Sequence, residues 1–338
     1  MEGAPPGPLL VTGAGLIGSL TACFAEQAGQ RVVLLDIAPN EPAVRELGFT
    51  GRIVTGNVSD GAGLHALVRE EGIRSVIHTA VAQSPALARN PRLAVDVNIG
   101  GAVNVLETAR TCELSRVILA GSTTVTYGSF GLVRELGLSS IPEDLPVVRQ
   151  RSLYAASKAA VEQFAGVYAD RFDVDVVVLR FAAVLGNWGG ALTLPTQAVL
   201  ALARLAREED LPATIDPLLT WSGIEEFIDA RDCADAALAA LRPGRLTQVV
   251  FNVAYPEAVT YADLVDTVQR RVPNRWQPAL SPSSHGFAGY PVSRSALSDV
   301  SAASDVLAFR ATRLLKDSVD WIIDVDEMQY KGQRKSFV

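Results

Sequence analysis

Apolar positions occur in blocks along the first half of the chain. Short runs rich in Val, Ile and Leu lie at residues 8–12, 31–36, 52–55, 75–79, 116–121 and 174–181. Such runs are typical of strands buried on both faces, as in a parallel sheet covered by helices. Residues 19–28 and 152–169, which lie between runs, have compositions that favour helices. The pattern predicts an α/β fold with a Rossmann-type, doubly wound parallel sheet.

The second half of the chain continues this pattern with longer connections. Strand and helix signals recur at residues 225–229, 231–241, 248–253 and 261–271, and residues 192–207 are expected to form an amphipathic helix. A chain of 338 residues exceeds what one compact core usually holds. We therefore expect residues 1–182, with returning segments near 224–254, to form the sheet domain. Residues 183–223 and 255–338 are expected to form a smaller C-terminal substrate-binding lobe.

Composition excludes several classes of protein. The net charge is -7, and no basic stripe appears, which argues against a nucleic-acid partner. No stretch of about 18 apolar residues and no basic leader followed by an apolar segment occurs, so we expect a cytoplasmic protein without membrane contact. The three cysteines and three histidines have no metal-type spacing, so no metal site is expected and the cysteines are interpreted as packing residues.

A glycine-rich turn follows the first strand directly. It reads Gly13-Ala14-Gly15-Leu16-Ile17-Gly18 and leads into a helix. Glycines there let the backbone approach a pyrophosphate at the positive end of the helix. The second strand ends at Asp36, where a carboxylate accepts from ribose hydroxyls and repels a 2'-phosphate, so NAD is favoured over NADP. The alternative is a strand-turn-helix unit without a ligand.

A phenol and an ammonium are expected to share one helix face. Tyr154 and Lys158 are four residues apart within the predicted helix 152–169. A neighbouring positive charge favours a phenolate and would lower the tyrosine pKa from about 10, which makes the pair a proton-transfer device. Thr123, at the end of a strand, is placed to hold the same substrate oxygen, and Ser122 and Thr124 remain candidates for that role.

Together these motifs resemble the extended short-chain dehydrogenase/reductase family, which includes NAD-dependent sugar epimerases and dehydratases. The resemblance covers nearly the whole chain and rests on the order of its motifs. It implies that Thr123, Tyr154 and Lys158 are catalytic, with Lys158 also bonding the nicotinamide ribose. One departure is the glycine turn: the family usually has T-G-x-x-G-x-x-G, whereas residues 12–18 are one residue shorter.

The resemblance also implies further cofactor contacts. Asn57-Val58 stands where the family has an acidic residue that contacts adenine; a simple turn-forming asparagine is the alternative. Residues 78–82 resemble a segment that lines the cofactor, although His78 itself is interpreted as a core histidine. Asn98, on a long central helix, lies near the active site or serves as a structural amide. The expected NAD-binding set is Gly13, Gly15, Leu16, Ile17, Gly18, Asp36, Asn57, Val58, Thr79, Ala80, Val81, Asn98, Tyr154 and Lys158.

Other departures from the family bear on the substrate. Ala183 replaces the usual asparagine of an R-x-x-N-V-x-G segment, and Glu225-Glu226 stands where an arginine usually pairs with a diphosphate. A carboxylate in place of a cation disfavours a nucleotide sugar, unless Arg231 or Arg294 compensates. The dehydratase branch carries an acidic pair after the catalytic threonine, whereas this chain has Thr124-Val125.

The leading hypothesis is therefore an NAD-dependent dehydrogenase or reductase acting on a secondary alcohol or ketone of a small molecule, which can be sugar-derived. The alternative is a redox-neutral sugar or sugar-nucleotide epimerase, and a third reading is an inactive cofactor-binding regulator. Trp188, Trp221 and Phe227 are candidates for the substrate pocket, with ordinary packing as the alternative. The resemblance also implies a homodimer built on the helices at 96–110 and 152–169.

Overall fold

A seven-stranded parallel sheet forms the centre of the molecule. The computed structural model describes residues 7–188, 192–207, 219–242, 244–246, 248–272 and 284–335. Its strands are β1 (Leu9–Thr12), β2 (Val32–Asp36), β3 (Arg52–Thr55), β4 (Ser75–His78), β5 (Arg116–Ser122), β6 (Ser140–Ile141), β7 (Val176–Phe181), β8 (Ala183–Leu185), β9 (Phe227–Asp229), β10 (Val250–Val253) and β11 (Leu297–Ser298). The large sheet has the order β10-β7-β5-β4-β1-β2-β3. The predicted fold class is thus confirmed.

The strand order reverses direction at β1. This strand pairs in parallel with β2 on one side and with β4 on the other, so that Leu9 lies opposite both Val32 and Ser75. Ligands of open α/β sheets bind in the crevice at such a switch point, outside the carboxyl ends of the strands. The turn after β1 and the segment after β4 therefore lie side by side at that end.

Helices cover both faces of the sheet. They are α1 (Leu16–Gln27), α2 (Glu41–Glu46), α3 (Gly61–Glu70), α4 (Ser84–Arg89), α5 (Gly100–Thr111), α6 (Phe130–Glu135), α7 (Leu153–Phe172), α8 (Leu194–Ala206), α9 (Ala230–Ala240), α10 (Tyr261–Arg271), α11 (Ser301–Val306) and α12 (Leu315–Lys335). Successive strand residues point to opposite faces. Leu9 and Val11 accordingly join one hydrophobic cluster, and Leu10 joins another. None of the helices within the described ranges is long and apolar enough to span a bilayer.

A separate hydrophobic cluster lies beside the sheet. It joins side chains of α8, α10 and α12 to Tyr127, Leu185, Trp221 and Phe287. The short parallel pair β8–β9, with Ala183 opposite Phe227, connects it to the main sheet. Most of these residues belong to the predicted lobe, of which residues 189–191, 208–218 and 273–283 lie outside the described residues. The proposed domain boundaries stay a prediction.

The central helix is not regular at its start. Residues Ala94–Ile99 form a π-helical turn before α5 begins at Gly100. Turns of this kind often occur at functional sites. Asn98 lies in this turn, and its side chain reaches the backbone after β4 and the start of α7. Helix α7 begins as the composition predicts, because the Ser152 hydroxyl caps it by accepting from the Ala155 N–H.

Candidate active site

A cleft of about 340 Å³ lies at the carboxyl ends of β1, β4, β5 and β7. It combines the glycine turn, the residues after β4 and β5, helix α7 and part of the hydrophobic cluster that lies beside the sheet. Its lining residues are Gly13, Gly15, Leu16, Ile17, Gly18, Asp36, Thr79, Ala80, Val81, Gln83, Ala120, Gly121, Ser122, Thr123, Thr124, Tyr127, Tyr154, Lys158, Phe181, Ala182, Ala183, Val184, Leu192, Thr193, Leu194, Pro195 and Phe287. The folded chain thus brings most of the predicted site residues to one place.

The glycine turn is closely packed beneath the cleft and open above it. Gly13 has φ +93°, and a Cβ there would lie 2.6 Å from the Ala80 nitrogen. A Cβ at Gly18 would lie 1.8 Å from the Gly13 carbonyl oxygen, whereas one at Gly15 would meet no atom of the described residues within 4 Å. Helix α1 starts after Gly15 without a side-chain cap, so its first N–H groups remain available to an anion.

Asp36 and Thr79 organise the cofactor side of the cleft. The Asp36 carboxylate accepts from the N–H groups of Ala14 at 2.7 Å and Ala38 at 2.8 Å. Its remaining lone pairs can accept from ribose hydroxyls. The Thr79 hydroxyl donates to the carbonyl of Thr12 at 2.9 Å, which fastens β4 to the end of β1. An open glycine turn, an uncapped helix start and a carboxylate at the next strand end fit the phosphates and ribose of NAD.

Three residues expected to contact the cofactor are not among the described residues that line the cleft. Asn57 is exposed, and its Oδ1 accepts from the Ser59 N–H at 2.9 Å, which is the arrangement of a turn-forming asparagine. Val58 is buried beside α5. Asn98 is buried and exchanges hydrogen bonds with the backbone of Ala82, so its position matches the alternative of a structural amide.

Asn98 also reaches the tyrosine helix. Its Nδ2 donates to Ser157 Oγ at 3.0 Å, which links the π-helical turn to α7. His78 is equally internal: its Nδ1 lies 2.7 Å from the Thr12 hydroxyl. Burial, with a smaller contribution from the nearby Lys158, lowers the pKa of His78 to about 3. His78 is therefore neutral near pH 7, as its interpretation as a core histidine requires.

Tyr154 and Lys158 face the cleft from α7. Lys158 Nζ donates to the Ala120 carbonyl at 2.6 Å and lies 5.7 Å from the centroid of the Tyr154 ring. Burial lowers the pKa of Lys158 to about 8, although the charge of Glu162 opposes this shift. Burial likewise raises the pKa of Tyr154 to about 12, against the effect of a hydrogen bond with Ser122. The expected lowering of the Tyr154 pKa was wrong for this structure, because desolvation of the phenolate dominates.

Three consecutive residues with hydroxyl groups lie where β5 ends. Ser122 is the last strand residue, and Thr123 begins a 3₁₀ segment that ends at Ser129. Ser122 Oγ accepts from the hydroxyl of Thr124 at 3.0 Å. Thr123 is only 1% exposed, and its hydroxyl has no hydrogen-bond partner among the described residues. All three line the cleft beside Tyr154.

The two arginines considered as phosphate ligands are paired elsewhere. Arg294 has a fully buried side chain and lies 2.9 Å from a carboxylate oxygen of Glu225 and 2.9 Å from one of Glu226. Arg231 pairs with Asp229 at 2.7 Å. Among the described residues that line the cleft, Lys158 is the only cation.

The substrate side of the cleft contains residues that sequence reasoning missed. Phe287 lines it, whereas Trp221 and Phe227 pack against Phe287 with ring centroids 5.3 and 6.0 Å away. Trp188 lies outside the lining and donates to the Ala43 carbonyl at 3.1 Å. Thr193, Leu194 and Pro195 also line the cleft. The sequence marks them as a helix start, because Thr193 caps α8, but a helix start does not by itself indicate a binding site. Phe287 belongs to no motif.

Comparison with known proteins identifies relatives of the whole fold. The model of the NAD dependent epimerase/dehydratase family matches residues 9–254. A protein of Staphylococcus aureus strain USA300, named an uncharacterized epimerase/dehydratase, is 27% identical over 300 residues, which cover 81% of this chain and 88% of that protein.

Solved structures give the same picture of the fold. The UDP-glucose 4-epimerase of Thermotoga maritima with UDP-glucose superposes with a TM-score of 0.77 at 20% identity, covering 96% of this chain and 99% of that chain. The Bordetella bronchiseptica enzyme WbmG in complex with NAD and UDP has a TM-score of 0.72 at 23% identity, covering 94% of this chain and 92% of that chain. At these identities the likeness establishes the architecture alone.

Proposed function

The chain belongs to the NAD dependent epimerase/dehydratase family, an NAD-dependent group of enzymes within the extended short-chain dehydrogenase/reductase superfamily, and on that premise we propose its reaction. It interconverts a secondary alcohol and a ketone on a small, uncharged substrate. The observation that carries this proposal is the convergence of Tyr154, Lys158 and the unpartnered Thr123 hydroxyl in the cleft that also contains the glycine turn.

Each of the three side chains has a defined task. Tyr154 takes the proton of the substrate hydroxyl when the alcohol is oxidised and returns it when the ketone is reduced. Thr123 donates its free hydroxyl to the same substrate oxygen. Lys158, whose pKa is about 8, is largely protonated near neutral pH and favours the phenolate. The glycine turn and Asp36 would hold NAD, which would supply the acceptor or donor of the hydride, and the oxidised nicotinamide would add a positive charge that also favours the phenolate.

The test of these roles is Tyr154→Phe. It removes the proton carrier, so NADH formation, followed by absorbance with a panel of sugars, polyols and secondary alcohols, should fall by about 10²–10⁴-fold. Tyr168→Phe is the matched control, because Tyr168 lies on the same helix but bonds Glu107 away from the cleft. Near-full turnover by Tyr154→Phe would refute the assignment.

The charges around the cleft support an uncharged substrate. Arg294 and Arg231 are held in ion pairs, and Lys158 already bonds a backbone carbonyl. The substrate side offers aromatic, aliphatic and threonine side chains instead, which suit a neutral ring or chain.

Titration with UDP tests this substrate class. Affinity weaker than about 1 mM is expected, because the described lining offers a diphosphate no unpaired cation. NAD titrated into the same sample is the positive control. Micromolar binding of UDP would instead favour a sugar-nucleotide substrate, since the related structures contain UDP-glucose or UDP.

A redox-neutral epimerase is the second candidate. The same three residues could remove and return a hydride on one substrate, and the description of the family favours it. The distinguishing measurement is the NAD and NADH released on denaturing protein purified without added cofactor. About one equivalent per chain favours an epimerase, which regenerates its cofactor in place, whereas cofactor-free protein that binds NAD reversibly favours a dehydrogenase.

We also propose a homodimer. Helix α7 exposes Leu153, Phe164, Val167 and Phe172 in the single chain, and Val95 is exposed on the neighbouring π-helical turn. Exposed apolar side chains on adjacent helices favour burial against a partner, and a second copy fits the resemblance. Light scattering should give twice the chain mass for the wild type and the chain mass for a Phe164→Glu, Val167→Glu variant. A monomeric wild type would end the proposal.

A further inference from the structure

A buried ion pair lies one helical turn beyond Lys158. Glu162 of α7 accepts from Arg180 of β7 through both carboxylate oxygens, from Nε at 3.0 Å and from Nη2 at 2.8 Å. The side chains of Arg180 and Glu162 are 4% and 3% exposed. Replacing a buried pair by apolar residues is often neutral or stabilising, so stability alone is a weak reason for its presence. Its position beside Lys158 gives a better one.

Lys158 and the ion pair meet at the carboxyl ends of β5 and β7. Lys158 and Glu162 are four residues apart on α7 and both are buried, so they project from one face of the helix with Cβ atoms about 5–6 Å apart. Lys158 Nζ donates to the Ala120 carbonyl of β5. The next strand residue, Gly121, lies opposite Arg180 in the sheet. Two buried cations, Lys158 and Arg180, thus lie close together, with the Glu162 carboxylate beside both.

The Arg180 guanidinium is fixed at this place. Besides its two bonds to Glu162, it donates from Nη1 to the Glu143 carbonyl at 3.0 Å. Glu143 is itself held, because its carboxylate accepts from the Asn252 N–H at 3.0 Å. A guanidinium is always charged, and a like charge nearby disfavours the charged form of a second group. Without a counter-charge, Arg180 would therefore favour the neutral form of Lys158.

The charge balance at Lys158 depends on Glu162. Among the described residues of the elements packed against α7, and of α7 itself, Glu162 is the one buried carboxylate. The other charged groups on these elements are exposed or belong to pairs of their own: Arg89, Asp170 and Arg171 are exposed, Asp96 pairs with Arg92, Glu107 with Arg110, and Arg116 with Asp175. His78 is neutral near pH 7, and the Tyr127 hydroxyl donates to Glu225.

We propose that Glu162 is a positioning residue: by neutralising Arg180, it keeps the Lys158 ammonium charged. The charged ammonium stays bonded to the Ala120 carbonyl, beside the Tyr154 ring. The inference rests on the proposed role of Lys158 in favouring the phenolate. The charge of Glu162 also opposes the lowering of the Lys158 pKa by burial, in agreement with this role.

The test measures the ionisation of Lys158 without turnover. The chain has four lysines, so the full chain labelled with ¹³C at the lysine ε-carbon gives few NMR signals to titrate, and that of Lys158 is assigned by its loss in Lys158→Met. Glu162→Gln should lower the Lys158 pKa by about one unit, which means a roughly tenfold smaller ammonium fraction at a given pH above both values. Glu162→Asp keeps the charge and should keep most of the wild-type pKa.

Arg180→Met carries the opposite expectation. It removes the neighbouring cation and leaves the Glu162 carboxylate to Lys158 alone, so the Lys158 pKa should rise. The double variant Glu162→Gln, Arg180→Met removes both charges and should return the pKa close to its wild-type value. Loosened packing would instead shift the Lys158 pKa in the same direction in both single variants.

Glu107→Gln is the matched control. Glu107 contacts the same helix by accepting from the Tyr168 hydroxyl at 3.1 Å. Tyr168 lies ten residues beyond Lys158, which is about 15 Å along the helix. The loss of this carboxylate should leave the Lys158 titration unchanged.

Two results would overturn the inference. One is a Lys158 pKa in Glu162→Gln that is equal to or higher than that of wild type. The other is a Lys158 pKa in Arg180→Met that is no higher than that of wild type, and this measurement decides the matter if Glu162→Gln does not fold. Failure of the proposed function appears separately, as turnover that survives in Tyr154→Phe.

Discussion

The cofactor side of the cleft and its substrate side differ in how the chain builds them. On the cofactor side, residues 13–18 are consecutive. Asp36 ends β2 and Thr79 directly follows β4, and both strands are neighbours of β1 in the sheet. On the substrate side, Tyr127, Leu194 and Phe287 come from segments far apart in the chain. Local backbone geometry thus determines the first side, whereas long-range packing determines the second.

The two sides also differ in how they treat charge. The cofactor side presents the Asp36 carboxylate and an uncapped helix start to the cleft. Behind the substrate side, Glu225, Glu226 and Arg294 are almost fully buried, and the Tyr127 hydroxyl donates to Glu225 at 2.9 Å. Charge on the first side is available to a ligand, whereas charge on the second is used to fix a wall of the cleft. Perturbing each side should therefore affect different properties.

The largest effect on NAD binding is expected at Gly18. In Gly18→Val the new Cβ would lie 1.8 Å from the Gly13 carbonyl oxygen, so the turn must move and NAD affinity should fall by more than about 100-fold, equivalent to roughly 3 kcal/mol. Calorimetric titration with NAD measures this. Gly166→Ala on α7 is the control, since the new Cβ meets no atom of the described residues within 4 Å and the substitution should stabilise the helix by about 0.5–1 kcal/mol. Unaltered NAD affinity in Gly18→Val would show that the backbone geometry of the glycine turn does not determine the cofactor side.

A loss of stability is expected at Arg294. Arg294→Met leaves Glu225 and Glu226 buried without their cation and should lower the free energy of unfolding by about 3–5 kcal/mol, measured in urea. Adding Glu225→Gln and Glu226→Gln to Arg294→Met removes the unpaired charges and should recover part of the loss. If the triple variant were no more stable than Arg294→Met, charge pairing would not explain the cluster.

A smaller, pH-dependent effect is expected at His78, beneath the cofactor side. Its pKa is about 3 in the folded chain, against an ordinary value of 6.5. At a pH between these two values, His78 is protonated in the unfolded chain but neutral in the folded chain. The free energy of unfolding therefore falls by about 1.4 kcal/mol for each unit that the pH drops below 6.5. Urea unfolding at pH 7, 5.5 and 4.5 should show a shallower acid slope for His78→Gln than for wild type. Identical slopes would contradict the assignment.

The sequence was sufficient to group most residues of the cofactor side because their signals are local, and their contacts with NAD stay a prediction. A glycine turn after a buried strand, an acidic residue at the next strand end and a Tyr-x-x-x-Lys spacing each act over a few residues, and the structure brings Gly15, Asp36, Tyr154 and Lys158 into one cleft. The fold class followed from the same blocks of apolar residues. The roles of Asn57 and Asn98 could not be assigned from sequence, because an asparagine side chain can equally bind a ligand, stabilise a turn or bond a buried backbone group.

Tertiary structure alone decided what depends on burial and on distant partners. The direction of the Tyr154 pKa shift depends on how far the phenol is desolvated, which no spacing of Tyr154 and Lys158 reveals. The pairing of Arg294 with Glu225 joins residues 69 positions apart, and it turned a possible phosphate ligand into a buried support. The separate surroundings of Ser122 and Thr123 arise because the chain leaves β5 between them. Sequence specifies which groups are present and their local geometry, whereas the pKa of a group and its partners depend on the dielectric and contacts that only the packed chain creates.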